Sequence, residues 1–103
     1  MTYTREQLQM MNNLDLNTVA YSVTDYQLPH DYPSTKNEGA NWMQYMATDR
    51  DASCYLDHLC SLIVGEEAEF WEDDHIVAML RATPRERTIA AILTFQEHGG
   101  LKE

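Results

Sequence analysis

Two pairs of side chains in this sequence have a spacing that suits chemistry on a helix. Glu72 and His75 form an E-x-x-H pair, the i, i+3 ligand spacing of carboxylate-bridged di-metal bundles. Cys54 and His58 are four residues apart, so a helix would carry the thiol and the imidazole on consecutive turns of one face. The first pair indicates a metal site, and the second indicates a thiol nucleophile with its base.

Neither pattern is complete. A di-metal bundle also needs carboxylates from facing helices and a second E-x-x-H pair, which a second subunit would have to supply. A thiol nucleophile needs an oxyanion hole, and no glycine-rich turn accompanies Cys54. We therefore keep Glu72 and His75 as an alternative metal site and interpret Cys54 as a packing residue. The carboxylates that could complete the metal site are Asp49, Asp57 and Glu97.

The cysteines predict the compartment. On one helix, Cys54 and Cys60 would be separated by about 9 Å of rise and about 240° of rotation. A disulfide requires Cα atoms within about 7 Å, so both are predicted to be reduced core thiols. The first residues lack the layout of a signal peptide, and no apolar run approaches the ~20 residues of a membrane span. We expect a cytoplasmic protein without a membrane segment.

The most unusual feature of the chain is a run of carboxylates. The 103 residues contain 17 Asp and Glu against 7 Lys and Arg, which gives a formal net charge of −10. Residues 51–80 hold eight acidic and no basic residues, a local charge of −8. Such a charge repels nucleic acid and anionic membranes, so direct binding to either is excluded. Six of the eight lie within nine positions: Glu66, Glu67, Glu69, Glu72, Asp73 and Asp74.

This acidic segment, residues 66–74, has two interpretations. It is either a solvated helix start, where carboxylates favour the helix dipole, or a docking surface. Carboxylates on successive helical turns are about 5.4 Å apart, a repeat comparable to the phosphates of a nucleic-acid strand. A rigid acidic face could therefore occupy a Lys/Arg groove that normally holds nucleic acid.

Several aromatic residues are candidates for the same interface. Phe70 and Trp71 lie inside the acidic segment, and they either anchor it to the core or dock on the partner. Tyr32, between an aspartate and a proline, is the tyrosine with the best prospect of exposure. The aromatic residues expected to wall the core are Trp42, Tyr45 and Tyr55.

Helical periodicity dominates the second half of the chain. An apolar stripe over 52–64 predicts a helix that ends at Gly65. A short buried helix is expected over Ile76–Arg81, capped by an aspartate. Thr83 to Glu86 form a capping box with a proline at the first helical position, and one face of the last helix carries Ile89, Ile92, Leu93 and Gln96. The arginines near this start oppose the helix dipole, so we expect them to pair with nearby acids.

The first half is less regular. Thr4 and Gln7 fit a capping box for an opening helix. Residues 15–26 carry both helical and strand periodicity, and we favour a helix capped by Asp15 or Asn17 because no partner strand is evident. Residues 27–38 are a proline-containing loop, and a helix follows near 39–47. The polar residues 48–51 are either a break or a polar turn of a longer helix.

The elements together predict an all-α fold, a compact single-domain bundle of four to six short helices spanning residues 1–103. In size and charge alone, the chain is similar to the small acidic helical proteins of phages and mobile elements that block restriction and CRISPR enzymes. We expect a non-enzymatic protein-binding module without a cofactor, an inhibitor or DNA mimic of the anti-restriction or anti-CRISPR kind, whose partner is basic. The predicted partner-binding residues are Glu66, Glu67, Glu69, Phe70, Trp71, Glu72, Asp73, Asp74 and Tyr32.

Two alternatives come from other classes of protein. One is a metal-binding helical bundle enzyme that uses Glu72 and His75, which metal analysis would detect. The other is a small structural or assembly subunit that buries apolar helix faces in a homodimer, which sedimentation would detect.

Overall fold

The computed structural model describes residues 2–24, 33–65 and 73–97, which form five α-helices and no β-strand. The radius of gyration, 12.6 Å, matches the ~13 Å of a compact chain of about 100 residues. The predicted all-α bundle is therefore confirmed. The helices are α1 (Arg5–Met10), α2 (Asn13–Thr24), α3 (Asn37–Val64), α4 (Asp73–Leu80) and α5 (Pro84–Glu97).

Local capping signals begin three of the helices. At α1, the Thr4 hydroxyl accepts from the Gln7 backbone while the Gln7 side chain accepts from the Thr4 backbone, which completes the predicted capping box. The same reciprocal pair joins Thr83 and Glu86 at α5. The helix predicted over 15–26 is α2, but its cap is the Asn12 side chain, which accepts from the Asp15 backbone at 2.7 Å.

The expected cap Asn17 has another role, because it lies one turn inside α2 and faces the core. Its side-chain oxygen accepts from the Ser34 backbone at 2.9 Å. This bond fixes the chain just before α3. That helix begins at Asn37, so the last two residues of the predicted loop 27–38 are helical.

Helix α3 consists of two segments that meet at Asp51. The backbone there is extended (φ −164°, ψ 97°), and the Asp51 carboxylate accepts from the Cys54 backbone at 3.1 Å. This is N-cap geometry, so Asp51 ends one helical segment and starts the next. Of the two alternatives for residues 48–51, the break is correct. The second segment ends as predicted at Gly65, which has a positive φ of 89°.

The centre of the bundle is α5, which packs against α1, α2 and α3. All eight residues from Thr88 to Phe95 are buried. The predicted apolar face is correct, but α5 is covered on every side, as in the centre of a bundle. Its threonines remain hydrogen-bonded: Thr88 donates to the Pro33 carbonyl at 2.8 Å, and Thr94 donates to the Ala90 carbonyl at 2.9 Å.

Two of the three aromatic residues expected in the core lie at the surface. Tyr55 is buried, but Trp42 is 44% and Tyr45 is 63% exposed, and their rings form a T-shaped pair at 5.9 Å. The reason is the orientation of the first segment of α3. Its buried face carries small or flexible side chains, which leaves the bulkier residues of this segment outside. The buried residues of this face are Gly39, Ala40, Met43 and Ala47.

Burial of Tyr55 makes stability sensitive to alkaline pH. Its side chain is 1% exposed, and its hydroxyl donates to Gln44 at 2.9 Å. Burial raises the pKa of the phenol, and the charge of Arg87 offsets this in part. The unfolded chain ionises the phenol near pH 10, while the folded protein keeps it neutral. The free energy of unfolding therefore falls as pH rises above about 10.

We expect Tyr55→Phe to reduce this fall by up to about 1.4 kcal/mol per pH unit. Urea unfolding between about pH 8 and about pH 11 measures it. Tyr45→Phe is the matched control, because it removes the same hydroxyl group from a side chain that is 63% exposed. Equal pH dependence of wild type and Tyr55→Phe would contradict the expectation.

Candidate functional site

A thiol, an imidazole and a carboxylate meet where the second segment of α3 passes the end of α5. Cys54 and His58 lie one helical turn apart on α3, and Glu97 is the last residue of α5. Cys54 Sγ, a His58 ring nitrogen and a Glu97 carboxylate oxygen lie within 4.8 Å of one another. Among the described residues, this is the one group of three or more metal-capable side chains in such proximity.

The Glu97 carboxylate is at the centre of this cluster. Its Oε2 accepts from the Cys54 thiol at 2.9 Å and also contacts His58 Nε2. Burial, the hydrogen bond to Glu97 and the charge of Glu97 together raise the pKa of the Cys54 thiol to about 12. The thiol is consequently protonated at neutral pH, and it donates a hydrogen bond to the carboxylate.

This order of side chains argues against a thiol nucleophile. A catalytic triad places the imidazole between the nucleophile and the carboxylate, so that the imidazole removes the proton. Here the carboxylate lies between the thiol and the imidazole. Its negative charge favours the neutral thiol, whereas a reactive cysteine needs a positive neighbour. The arrangement is therefore better suited to holding a cation than to attacking a substrate.

The sequence predicts only part of this cluster. The four-residue spacing places Cys54 and His58 on one helix face, but the same sequence predicts Cys54 to be a core thiol. That interpretation is wrong, since Cys54 is only partly buried and bonded to Glu97. Cys60 is buried as expected, and both thiols are free. No local pattern could have added Glu97, which is 39 residues from His58 in sequence.

The alternative metal site is only partly described. Glu72 lies outside the described residues, whereas His75 lies on α4. The other carboxylates proposed for that site, Asp49 and Asp57, are both exposed. Within the ranges that the structure covers, neither of them nor His75 joins a metal-capable group. Glu97, the third proposed carboxylate, faces Cys54 and His58 instead.

Most of the predicted partner-binding residues also lie outside the described residues. Asp73 and Asp74 are the exceptions, and both are exposed in the first turn of α4. The acidic segment therefore leads directly into this helix. The predicted residues outside the described ranges are Tyr32, Glu66, Glu67, Glu69, Phe70, Trp71 and Glu72.

Helix α4 differs from the expected buried helix over Ile76–Arg81. It begins at Asp73, and Met79 is its one buried residue. Helical spacing of i, i+3, i+4 and i+7 places one carboxylate and three apolar side chains on a single face. The apolar members are 41%, 43% and 81% exposed in chain order. This α4 face consists of Asp73, Ile76, Val77 and Leu80.

Among the described residues, the arginines of α5 bond to neutral acceptors, and the expected pairing with nearby acids is not found there. Arg85 donates to the carbonyls of Leu8, Gln9 and Met11, at the end of α1. Arg87 donates to the side-chain oxygens of Asn41 (2.6 Å) and Asn37 (3.0 Å). Arg85 therefore interacts with the negative end of the α1 dipole, where an acidic side chain was expected.

Comparison with family models, with curated proteins and with solved structures finds no match to this chain. No described helix combines the length and the apolar character needed to cross a membrane.

Proposed function

We propose that this protein is a non-enzymatic binding module that docks on a basic protein surface through the acidic segment and the α4 face. The observation that carries the proposal is the exposure of Ile76, Val77 and Leu80 on a helix that directly continues the acidic segment. Anchors at i, i+3, i+4 and i+7 are the pattern by which an amphipathic helix binds in a groove. Exposed apolar side chains on one helix face are unfavourable in water unless a partner covers them.

Electrostatics supports a basic partner. The described carboxylates are largely at the surface, whereas Arg85 and Arg87 donate to neutral oxygens on other helices. The negative charge of residues 51–80 is therefore not balanced by these two cations. A field of this kind accelerates association with a positive surface and repels nucleic acid. The exposed carboxylates are Glu6, Asp15, Glu38, Asp49, Asp57, Asp73, Asp74 and Glu97.

The partner that fits is a groove with an apolar floor and a rim of lysine and arginine. Leu80 would enter the floor, while Asp73 and the acidic segment would meet the rim. Basic grooves of this kind bind the phosphates of nucleic acid. Occupation by this chain would therefore exclude nucleic acid, which is how an inhibitor of a restriction or CRISPR enzyme acts.

A competition experiment tests the proposal. A panel of purified restriction and CRISPR nucleases is loaded with a fluorescent DNA duplex, and fluorescence anisotropy follows displacement of the duplex by this protein. We expect displacement from at least one enzyme, with an apparent affinity that falls as salt is raised. Leu80→Ala should weaken the competition about 30-fold, the effect of removing a binding hot spot.

Matched variants separate the α4 face from general surface effects. Met10→Ala removes an apolar side chain that is 86% exposed on α1 and should leave the competition unchanged. Neutralising Asp73, Asp74 and the carboxylates of the acidic segment to Asn or Gln should weaken binding and flatten its salt dependence. Unchanged competition by this neutralised variant, or no displacement from any enzyme, would refute the proposal.

Self-association is a distinct outcome. If two copies bury the α4 face against each other, sedimentation shows a dimer that Leu80→Asp dissociates. A monomer at all concentrations supports a different protein as the partner, because the α4 face then remains exposed.

A further inference from the structure

We propose that Cys54, His58 and Glu97 form a zinc-binding site, with Cys54 Sγ, His58 Nε2 and Glu97 Oε2 as ligands and a fourth position open to water. This site is separate from the proposed docking surface. It depends on the junction between α3 and α5, not on α4 or the acidic segment.

The geometry needs little adjustment to hold the ion. Zinc binds sulfur at about 2.3 Å and nitrogen or oxygen at about 2.0–2.2 Å, so tetrahedral ligand atoms are about 3.5 Å apart. The three ligand atoms already lie within 4.8 Å of one another. Glu97 Oε2 is closer than this to Cys54 Sγ, at 2.9 Å, and to His58 Nε2, so the carboxylate must draw back to admit the ion. The Glu97 side chain is 56% exposed, which leaves room for that rotation, while small rotations of Cys54 and His58 bring Sγ and Nε2 to the required separation.

The ligands are carried by regular helix on two elements. Cys54 and His58 share one face of α3, immediately after the Asp51 cap that starts this segment. Glu97 ends α5, the helix at the centre of the core. Sites supported by packed helices hold their ligands more precisely than sites on loops.

The donor set points to zinc. A thiolate and an imidazole favour Zn²⁺ over Mg²⁺ or Ca²⁺, which prefer oxygen ligands. Three protein ligands with an open fourth position are typical of zinc sites that exchange or activate a bound molecule. The His58 side chain is 26% exposed, so the ion can enter from solvent.

Zinc binding would replace the hydrogen bonds that now join these three side chains. The Cys54 thiol proton, which lies toward Glu97, is released to solvent when the thiolate binds the metal. A neutral His58 binds through Nε2 with its proton on Nδ1, whereas an imidazolium releases one proton. The thiolate and the carboxylate then balance the two charges of the ion.

Titration of chelator-treated full-length protein with Co²⁺ or Zn²⁺ tests the site. Co²⁺ reports a thiolate ligand through a charge-transfer band and tetrahedral geometry through visible absorption. We expect one ion per chain and a rise of about 5 °C or more in Tm with excess Zn²⁺. Cys54→Ser, His58→Gln and Glu97→Gln should each weaken binding at least about 100-fold.

Two control variants test whether other potential ligands bind the metal. Cys60→Ser removes the other thiol, and His75→Gln removes the described histidine of α4; both should bind Co²⁺ as tightly as the wild type. Circular dichroism establishes that each variant is folded before titration. A missing charge-transfer band in the wild type, or a band that persists in Cys54→Ser, would overturn the proposal.

Discussion

Ile92→Ala should lower the free energy of unfolding by about 2–5 kcal/mol, the range for emptying a fully buried aliphatic site. Ile92 is 0% exposed and lies in the middle of α5. Because α5 packs against three other helices, a cavity there has neighbours on several sides. The total free energy of unfolding of a native protein is about 5–15 kcal/mol, so the change removes a large share of the stability.

Urea unfolding followed by circular dichroism measures the effect, and the slope with denaturant should stay the same. Ile76→Ala is the matched control, because the same three carbon atoms are removed from a side chain that is 41% exposed. We expect the control to cost less than about 1 kcal/mol. Similar losses for the two variants would mean that α5 is not the centre of the bundle.

Arg85→Ala should lower the free energy of unfolding by about 2–3 kcal/mol. The substitution removes several charge-assisted hydrogen bonds, and not all of their acceptors can find new donors. The guanidinium of Arg85 joins three elements. From the first turn of α5, it bonds to carbonyls at the end of α1 and, at 2.6 Å, to the Asn13 side chain at the start of α2. The carbonyls at the end of a helix lack their usual acceptor role within it, and here only that of Leu8 also accepts from the Met11 backbone, so Arg85 acts as a C-terminal cap of α1.

Arg81→Ala provides the control, since it removes the same charge from an exposed position just before α5. It should change stability by less than about 0.5 kcal/mol. Arg85→Lys should recover only part of the loss, because an ammonium group lacks the planar fork that reaches several oxygens. Hydrogen exchange should show faster opening of α1 amides in Arg85→Ala. An equal loss in Arg81→Ala would show that charge, not bonding, is responsible.

Local sequence patterns could not predict the Arg85 hydrogen bonds or the burial of α5 on every side. The sequence shows an arginine opposed to a helix dipole, but the acceptors of Arg85 are more than 70 residues away. Likewise, alanines and threonines between the apolar residues of α5 gave no sign that this helix is covered on every side. Small side chains such as Ala90 and Ala91 allow neighbouring helices to approach closely, which is a property of packing.

The cluster of Cys54, His58 and Glu97 depends on both kinds of information. Helical spacing alone brings the thiol and the imidazole together, since four residues make about one turn. The Glu97 carboxylate joins them because α5 ends beside the second segment of α3. This third group changes the chemistry, because a central carboxylate favours a neutral thiol or a bound cation over a nucleophile.

What the sequence by itself determined is the all-α class and the ends of several helices. The capping boxes at Thr4 and Thr83 and the stop at Gly65 act within one helical turn, so neighbouring residues suffice to specify them. Only the tertiary structure decided which helix faces are covered. It placed α5 inside and left the α4 face in solvent, because burial depends on the surfaces that neighbouring helices present.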